Sequence, residues 1–534
     1  MKLTPVYQSL VLSAAGLVLL YQPFHLWVLA FIVFIPVVHA IENPGSLLKL
    51  SGRLFLVFYC WHLGTISSAL FIGMALKDKL MLLLFFNGWY SLMMLLPVIA
   101  YYITARNLKS PFRMLLLPLY WCVYEFVLHN SEFGMPLLSF NNAFNSSVFL
   151  SAAQRFGGPY LYVIMIWIFN YLAWHFINCS DKLLKKRYGL AAISALAAFL
   201  LLNALAYFTV PAHPSKPVSV AVVQPNFTQQ ASLSANEAKN RVKLLGEISL
   251  GVNQETDLII WHESAVQGYM INKDSLETDP VIRYIRNLAV KLNKPILTGT
   301  VLYKIYGQHD KGSSTARAAD LVSGNYYDVF NSAILVTPDS LPIQQCHKAK
   351  LVPFIERMPY IEYFPVSESM KISIGSVYPS FAHTDETVPL AYKDLRIAPL
   401  ICSEGAFVDH AGKFCRQGAN LFVVIANEGW TGKAITSTMF SNMLLPASAC
   451  FNRSLIKCSN NGESFVSGFS GQILKSTPFN KQALLQQKVY LNAEPTPYQK
   501  YGSIIYILLA GAVVVFLVYK EVQVSKAGNN FTAN

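Results

Sequence analysis

The chain has 534 residues, of which 53% are hydrophobic and only 13% are charged, and its mean hydropathy is +0.38. Soluble globular proteins carry roughly 25% charged residues, so the composition favours a membrane protein, and the length predicts more than one domain. The net charge of +13 does not indicate nucleic-acid binding, because the basic residues are scattered between apolar runs and form no single stripe.

The cysteines do not indicate a disulfide scaffold or a zinc site. There are eight, with no CxxC pair, and five of them lie in one long polar region. An odd number there leaves at least one thiol free. His262 and Glu263 are adjacent, but no second histidine follows at helical spacing, as a zinc site on a helix would need. The sequence therefore implies no metal and no cofactor.

Apolar runs close to the roughly 20 residues that cross a hydrocarbon core dominate the N-terminal part. Seven predicted spans cover residues 5–21, 24–41, 54–76, 80–103, 112–128, 160–176 and 188–210, and an eighth covers 501–519. The loops rich in lysine and arginine alternate with poor ones, which predicts a cytoplasmic N-terminus. The predicted layout is a seven-span membrane domain (1–212), a polar domain outside the cytoplasm (215–499), a final transmembrane helix (501–519) and a cytoplasmic tail (520–534).

The polar region between the seventh and eighth spans has the pattern of an α/β domain. Short β-rich runs occur at residues 218–223, 258–261, 296–303, 330–336, 395–401, 421–425, 455–458 and 465–469. Helices are predicted at 238–252 and 280–292. Such alternation predicts a sheet covered by helices.

Three of these stretches carry reactive side chains: Glu263 and Cys402 each end a strand, and Lys348 precedes a Leu-Val-Pro-Phe turn. Taken singly, such a glutamate is usually solvated, such a lysine is surface charge, and a free cysteine is a small core residue. Together they are the three groups that an acyl-transfer enzyme needs. The carboxylate takes the thiol proton, the thiolate attacks, and the ammonium stabilises the oxyanion.

The flanks of these residues resemble the carbon–nitrogen hydrolase (nitrilase) superfamily and, more closely, the bacterial apolipoprotein N-acyltransferase family. Glu263 matches the general base of the Trp-Pro-Glu-Ser-Ala motif. Lys348 matches the lysine before Leu-Val-Pro-Phe-Gly-Glu, whose last residue is Glu356 here, and Cys402 matches the nucleophile of Ile-Cys-Tyr-Glu. The resemblance implies an αββα sandwich with a Glu-Lys-Cys triad, in which Lys348 stabilises the oxyanion and Glu356 supports the base and the lysine.

Further motifs extend the resemblance over nearly the whole chain. Asn427-Glu-Gly-Trp430 matches Asn-Asp-Ala-Trp, and Phe133-Gly-Met-Pro136 resembles a Gly-Phe-Pro-Trp loop in the membrane part. The substrate-binding candidates that it implies are Ser403, Glu404, Asn427 and Trp430. The chain departs from the family at His262 (Pro), Ile355 (Gly), Ser403 (Tyr), Glu428 (Asp) and Thr431 (Phe). We expect these departures to affect acyl-chain and acceptor preference and to leave the chemistry intact.

The resemblance implies a two-step exchange of an acyl chain. Cys402 takes the chain from a phospholipid, at the sn-1 position of phosphatidylethanolamine, as a thioester. The α-amine of the diacylglyceryl-cysteine of an apolipoprotein then receives it. The implied partners are the phospholipid donor, the apolipoprotein acceptor and the membrane. The implied setting is the bacterial inner membrane, with the catalytic domain on the periplasmic side, and a monomer is expected.

Three other functions fit parts of the sequence. A membrane-tethered nitrilase-type amidase would use the same triad on a small amide, with water as acceptor, but a single anchor would suffice for it. A lapsed member that only binds lipoproteins is disfavoured because Glu263, Lys348 and Cys402 are all present. A transporter is disfavoured because the predicted spans contain few charges, Glu125 being the main one. The long polar inserts 306–325 and 365–386 are either lids or surface loops.

Overall fold

The computed structural model describes residues 5–21, 24–66, 76–105, 108, 113–210, 216–228, 233–307, 310, 312–319, 325–363, 380–429 and 434–531. Trp430, Thr431 and most of the predicted insert 365–386 lie outside these residues.

The N-terminal part is helical. Its main helices are α1 (Pro5–Leu20), α2 (Ile35–Glu42), α3 (Leu47–Ile66), α4 (Leu76–Ala105, with a π-helical turn at Met81–Phe86), α5 (Arg113–Asn130), α6 (Gln154–Asn178) and α7 (Lys182–Phe208). Tryptophans on α3, α5 and α6 meet in its core, where Trp61, Trp121 and Trp167 are fully buried. Helix α7, in contrast, exposes leucines such as Leu190 and Leu201, as a lipid-facing helix does.

Four helical runs in the described part of the chain are long and apolar enough to cross a membrane: Leu76–Ala105, Gln154–Asn178, Lys182–Phe208 and Tyr498–Phe516. The apolar helices Tyr7–Leu20 and Trp27–Glu42 are shorter. These helices confirm the predicted membrane region. The count of about eight spans stays a prediction, and the predicted third span, 54–76, runs into residues that the structure does not describe.

The polar region forms two β-sheets. The strands are β1 (Lys216–Gln224), β2 (Leu258–Ile260), β3 (Val266–Asn272), β4 (Ile296–Ile305), β5 (Arg317–Ala318), β6 (Tyr326–Val336), β7 (Gln344–His347), β8 (Leu390–Tyr392), β9 (Leu395–Ile401), β10 (Leu421–Ala426), β11 (Leu455–Ser459), β12 (Phe465–Ser467), β13 (Ile473–Ser476) and β14 (Ala483–Leu491). The first sheet has the order β14-β1-β2-β4-β6-β5, with β3 paired to β4 and β7 to β6; the second has the order β13-β12-β11-β10-β9-β8. Strands β1-β2-β4 and β9-β10-β11 run parallel.

The two sheets pack face to face between two layers of helices. Alternate residues of β1, including Val220 and Val222, meet Ile397 and Val424 of the second sheet in one buried core. On the outer face of the first sheet lie α8 (Ala235–Ser249) and α9 (Pro280–Leu292). On the second sheet lie α10 (Val408–Arg416) and α11 (Ala434–Phe451). This is the αββα sandwich that the sequence predicts, and both predicted helices overlap α8 and α9.

The sandwich is joined to the membrane helices by polar and aromatic contacts. The carboxylate of Asp409 on α10 accepts hydrogen bonds from Tyr160 of α6 (2.7 Å) and from Tyr498 (2.8 Å). Tyr498 precedes the last helix, α12 (Ser503–Phe531), which continues well past residue 519, where the predicted span ends. Phe354, from the loop after β7, is buried in the aromatic core of the membrane part. Phe354 therefore anchors the loop after β7 to the membrane part.

Candidate active site

Cys402 stands at the carboxyl end of β9, where the chain enters a 3-10 turn that spans Cys402–Ala406. Its φ is +55°, which is a strained conformation for a residue with a side chain. Such a turn directs the side chain away from the strand. Burial raises the pKa of the Cys402 thiol well above its ordinary value, the Glu263 carboxylate adds to the rise, and Lys348 opposes it.

Glu263 follows β2 and is buried, as is its neighbour Asn331. One carboxylate oxygen accepts a hydrogen bond from the Asn331 side-chain amide (2.8 Å), and the other accepts from the backbone N–H of Asn427 (2.9 Å). Burial raises the pKa of the Glu263 carboxyl above its ordinary value, and the Lys348 ammonium and these two hydrogen bonds limit the rise. Because Asn427 follows β10, this contact joins the carboxyl ends of parallel strands in the two sheets.

Lys348 follows β7, and its side chain is completely buried. Its ammonium donates a 2.8 Å hydrogen bond to Glu356, and its backbone N–H donates to the carbonyl of Asn331 (2.8 Å). Burial alone would lower the pKa of Lys348, but the charge of Glu356 and then that of Cys402 outweigh it and raise the pKa above its ordinary value. Lys348 therefore stays charged beside the thiol.

The motif also contains Glu356 and Lys350, and their side chains bind different backbone groups. Glu356 uses its second carboxylate oxygen to accept from the backbone N–H of Val352 (2.7 Å), which closes the turn after Lys348. Lys350, the second lysine of the stretch Lys348-Ala-Lys350, donates instead to the carbonyl of His129 (3.2 Å) in the membrane part. The structure thus brings Lys348, and not Lys350, to the surroundings of Glu356 and Cys402.

Glu404 is buried, and its carboxylate oxygens accept hydrogen bonds from backbone N–H groups. One oxygen accepts from the N–H groups of Ala349 (2.6 Å) and Lys350 (2.8 Å), and the other accepts from that of Ile401 (2.9 Å). His410 lies 3.3 Å away. Burial alone would raise the pKa of Glu404, but His410 and these donors outweigh it and hold the pKa below its ordinary value. These hydrogen bonds connect the turn that begins at Cys402 to the loop that follows Lys348, so Glu404 holds the two segments in position.

The other substrate-binding candidates are only partly described. Asn427 accepts hydrogen bonds on its side-chain oxygen from Asn460 (3.2 Å) and from the Gly429 backbone (3.3 Å). The Ser403 hydroxyl oxygen is buried and has no hydrogen-bond partner within the described residues. Trp430 lies outside those residues. The role of all three in binding substrate stays a prediction.

Sequence reasoning missed three residues that shape the site. Asn331 binds Glu263, and no signal in the sequence singles it out, because strand β6 also carries Asp328 and Ser332. Gly299 on β4 lies so close to the Glu263 turn that a Cβ there would come within 2.6 Å of the Ser264 nitrogen and 2.7 Å of the Glu263 Cα. Lys457 forms a buried ion pair with Glu428 at 2.5 Å, and the Glu428 charge also acts on Cys402.

The arrangement brings the Glu263 carboxylate, the Cys402 thiol and the Lys348 ammonium into one site. A carboxylate whose pKa burial has raised is a better proton acceptor than an exposed one. The ammonium stabilises negative charge that develops on a nearby oxygen. Within the described residues, no group of three or more His, Cys, Asp or Glu side chains could hold a metal ion. The geometry suits nucleophilic acyl transfer through a cysteine.

Comparison with known proteins identifies the family. Residues 219–493 match the carbon–nitrogen hydrolase family, and residues 13–172 match the N-terminal domain of apolipoprotein N-acyltransferases. The chain belongs to the apolipoprotein N-acyltransferase family of the carbon–nitrogen hydrolase superfamily.

Curated members of this family align over most of the chain. The apolipoprotein N-acyltransferase of Chlorobaculum tepidum is 25% identical over 512 residues, 92% of each chain. That of Geobacter metallireducens is 24% identical and covers 80% of this chain and 78% of its own length. Among solved structures, an amidase from Nesterenkonia sp. aligns with 53% of this chain and 92% of its own at 16% identity and a TM-score of 0.35.

Three departures from the family's motifs lie close to Glu263 and Cys402. His262 is buried, and its Nδ1 lies 2.7 Å from the carbonyl oxygen of Glu263. Burial lowers the pKa of His262 to about 4, so the ring is neutral at physiological pH and adds no charge beside the base. Ser403 and Glu428 are the other two: Ser403 adjoins Cys402, and Glu428 forms the buried ion pair with Lys457.

Proposed function

We propose that the chain transfers an acyl chain from a phospholipid to the α-amine of the diacylglyceryl-cysteine of apolipoproteins. The relatives that align over most of its length carry the name apolipoprotein N-acyltransferase. The observation that carries the proposal is the buried ion pair of Lys348 with Glu356. Cys402 and Glu263 lie near enough for their charges to act on the Lys348 ammonium. A sandwich fused to apolar helices offers this chemistry to substrates that reside in a bilayer.

In the first step, Glu263 takes the proton of the Cys402 thiol. The thiolate attacks the carbonyl carbon of the sn-1 ester of phosphatidylethanolamine, and the Lys348 ammonium stabilises the oxyanion of the tetrahedral intermediate. Collapse of that intermediate breaks the ester C–O bond, and the leaving glycerol oxygen takes the proton from Glu263. The products are a lysophospholipid and an acyl thioester on Cys402.

In the second step, the α-amine of the diacylglyceryl-cysteine attacks the thioester carbonyl. Glu263 accepts a proton from the amine nitrogen, and Lys348 again stabilises the oxyanion. The C–S bond breaks, the amide forms, and Glu263 returns its proton to the Cys402 thiolate. The enzyme ends in its starting state, so no cofactor and no net proton is needed.

The pKa directions support the assignment of a base. A thiol with an ordinary pKa of about 8.5 is mostly protonated at neutral pH. Burial raises the pKa of Cys402 further, so the free thiolate would be scarce without a proton acceptor beside it. Glu263 supplies that acceptor, and the raised pKa of Lys348 keeps its ammonium charged throughout the cycle.

We propose that the sandwich lies on the periplasmic side of the bacterial inner membrane, between seven spans in residues 1–212 and one in 501–519, and that the tail 520–534 is cytoplasmic. The distribution of lysine and arginine in the loops supports this orientation. The catalytic domain is then 215–499, and the enzyme acts as a monomer. Cysteine accessibility to a membrane-impermeant maleimide in intact and permeabilised cells measures the orientation directly.

The activity is tested with the purified full-length chain in detergent micelles. Phosphatidylethanolamine with an isotopically labelled sn-1 chain and a diacylglyceryl-cysteine peptide are the substrates, and the mass of the peptide product is measured. We expect the labelled chain on the peptide amine, and no label when only the sn-2 chain is labelled. Turnover of a small amide without any acylated peptide would instead favour a membrane-tethered amidase.

A further inference from the structure

A polar cavity of about 250 Å³ lies between the membrane part and the sandwich. Its walls come from the loop that follows α5, from the segment Ala349, Lys350 and Leu351, and from α10. None of Glu263, Lys348, Glu356 or Cys402 lines it. It is therefore separate from the reacting groups, although its wall begins one residue after Lys348.

Two lysines in this cavity lack a carboxylate partner. The half-buried Lys350 ammonium donates to the carbonyl of His129 (3.2 Å) and lies 5.4 Å from the centre of the Phe407 ring. Neither Lys350 nor Lys413 forms an ion pair with any carboxylate in the described part of the chain. Burial lowers the pKa of Lys350, the charge of Lys413 lowers it further, and the charges of Asp409, Glu404 and Asp385 oppose the shift. Lys350 and Lys413 are both half-buried. A cation partly withdrawn from water is stabilised by an anionic partner, so these two favour an anionic ligand.

Other charged groups also line the cavity. Arg357 pairs with Glu362 and lies 3.7 Å from Glu132. His383 lies 3.7 Å from Asp385. Glu132 and Asp385 thus bring negative charge to the lining, but within the described residues neither forms an ion pair with Lys350 or Lys413.

The position of the cavity indicates where its ligand comes from. Asn130, the last residue of α5, lines it together with Ser131 and Glu132. Helix α5 overlaps the predicted span 112–128, and the end of a span lies near the headgroup region of the bilayer, where phosphate groups are abundant. Lysine ammonium groups bind phosphate oxygens well. A volume below the roughly 300–1,000 Å³ of drug-sized ligand pockets suits a headgroup better than an acyl chain.

We propose that this cavity, the headgroup cavity, binds the phosphate of a phospholipid through Lys350 and Lys413. The proposal rests on the proposed function in taking the acyl donor as the ligand. Free inorganic phosphate offers the same chemistry and is the alternative source. Since Lys350 is two residues from Lys348, binding the phosphate here holds the donor near the lysine that stabilises the oxyanion.

The test measures lipid binding without turnover. Full-length Cys402→Ala protein in micelles is titrated with phosphatidylethanolamine or with diacylglycerol of the same acyl chains, and bound lipid is counted by native mass spectrometry. We expect Lys350→Gln with Lys413→Gln to weaken phosphatidylethanolamine binding at least tenfold and to leave diacylglycerol binding unchanged. Lys350→Arg should keep most of the affinity. Lys243→Gln, at an exposed lysine on α8, is the matched control.

Each outcome bears on the proposal separately from the acyl-transfer activity. Equal phosphatidylethanolamine binding by the double variant and its parent would overturn the headgroup cavity, even if wild-type protein acylates peptide. Loss of inorganic phosphate binding alone, with lipid binding intact, would assign the site to free phosphate and overturn the lipid assignment. Selective loss of lipid binding supports the cavity even if the transfer assay fails. Thermal unfolding of each variant shows that the fold is retained.

Discussion

Phe354 of the loop between Lys348 and Glu356 packs edge-on against Phe85 of membrane helix α4, with ring centroids 5.8 Å apart. Phe85 belongs to the π-helical turn Met81–Phe86, and such turns are frequent at functional sites. Phe354 also has a φ of +65°. The loop that carries Glu356 is therefore anchored in the membrane helices two residues away from the carboxylate that binds Lys348.

Removal of this anchor should affect stability and catalysis together. Phe354→Ala leaves a cavity among aromatic rings, and large-to-small changes of this kind cost about 3 kcal/mol or more. We expect a lower midpoint of thermal unfolding in micelles and a fall in the rate of thioester formation. Phe354→Leu keeps most of the apolar volume and should cost about 1 kcal/mol. Equal stability of Phe354→Ala and wild type would contradict the anchoring role.

Gly299 should not tolerate a side chain. A Cβ there would meet backbone atoms of the Glu263 turn within 2.6 to 2.8 Å, and backbone atoms cannot rotate away as a side chain does. We expect Gly299→Ala to lose about 2–3 kcal/mol of unfolding free energy and most of the activity. Gly307→Ala is the matched control, because its Cβ would meet nothing within 4 Å, and it should stay within about 0.5 kcal/mol of wild type.

The hydrogen bond from Asn331 should set the acidic limb of the reaction. Glu263 must be ionised to act as a base, so the rate of thioester formation rises with pH through the pKa of Glu263, which burial has raised. Asn331→Leu removes a donor that favours the ionised form, and a lost bond to a charged group is worth roughly one pH unit. We expect the limb to move to higher pH and the plateau rate above it to stay within a few-fold. An unmoved limb would argue against Glu263 as the base.

The raised pKa of Glu263 also makes the stability of the folded protein depend on pH, in the opposite direction to the rate. Because the folded-state pKa of Glu263 is raised, the folded protein favours the protonated carboxyl, and this contribution is lost as pH rises through that pKa. Glu404 behaves in the reverse way. Its folded-state pKa is lowered, so its contribution is present above the ordinary glutamate pKa of about 4.3 and is lost as pH falls through the folded value.

Glu404→Gln should therefore destabilise the protein most at neutral pH. The amide places an NH₂ group where one carboxylate oxygen accepts from the N–H of Ile401, or where the other accepts from the N–H groups of Ala349 and Lys350. A buried donor left without its acceptor costs about 1–3 kcal/mol. We expect the difference in unfolding midpoint between Glu404→Gln and wild type to stay constant down to a pH of about 4.3 and to shrink as the pH falls further. A difference independent of pH would contradict this role for the carboxylate.

The sequence was most informative where one local pattern decides the structure. Apolar β-rich runs predicted strands such as β1, β9 and β10, and the motif flanks predicted the family and the sandwich. Strand β7 was missed because Gln344-Gln-Cys-His347 has no apolar period. Strand β14 was missed because its residues mix polar and apolar without strict alternation.

Long-range contacts of single residues could not be predicted. The position of Phe354 in the membrane core depends on how two domains meet, which no local pattern records. Glu404 stays a substrate-binding candidate, and its contacts were equally unpredictable: its oxygens accept from the backbone N–H groups of Ala349 and Ile401, which lie more than 50 residues apart in the chain. The roles of Glu263, Lys348, Glu356 and Cys402 remain proposals that the geometry supports and experiment must test.

The covalent intermediate on Cys402 tests the central claim most directly. Purified full-length protein is incubated with phosphatidylethanolamine, its intact mass is measured, and the modified peptide is mapped. We predict one acyl group on Cys402 that hydroxylamine removes and that a diacylglyceryl-cysteine peptide discharges, and no adduct on Cys402→Ala. Acyl transfer to the peptide by Cys402→Ala, or an acyl group on another cysteine, would contradict the account.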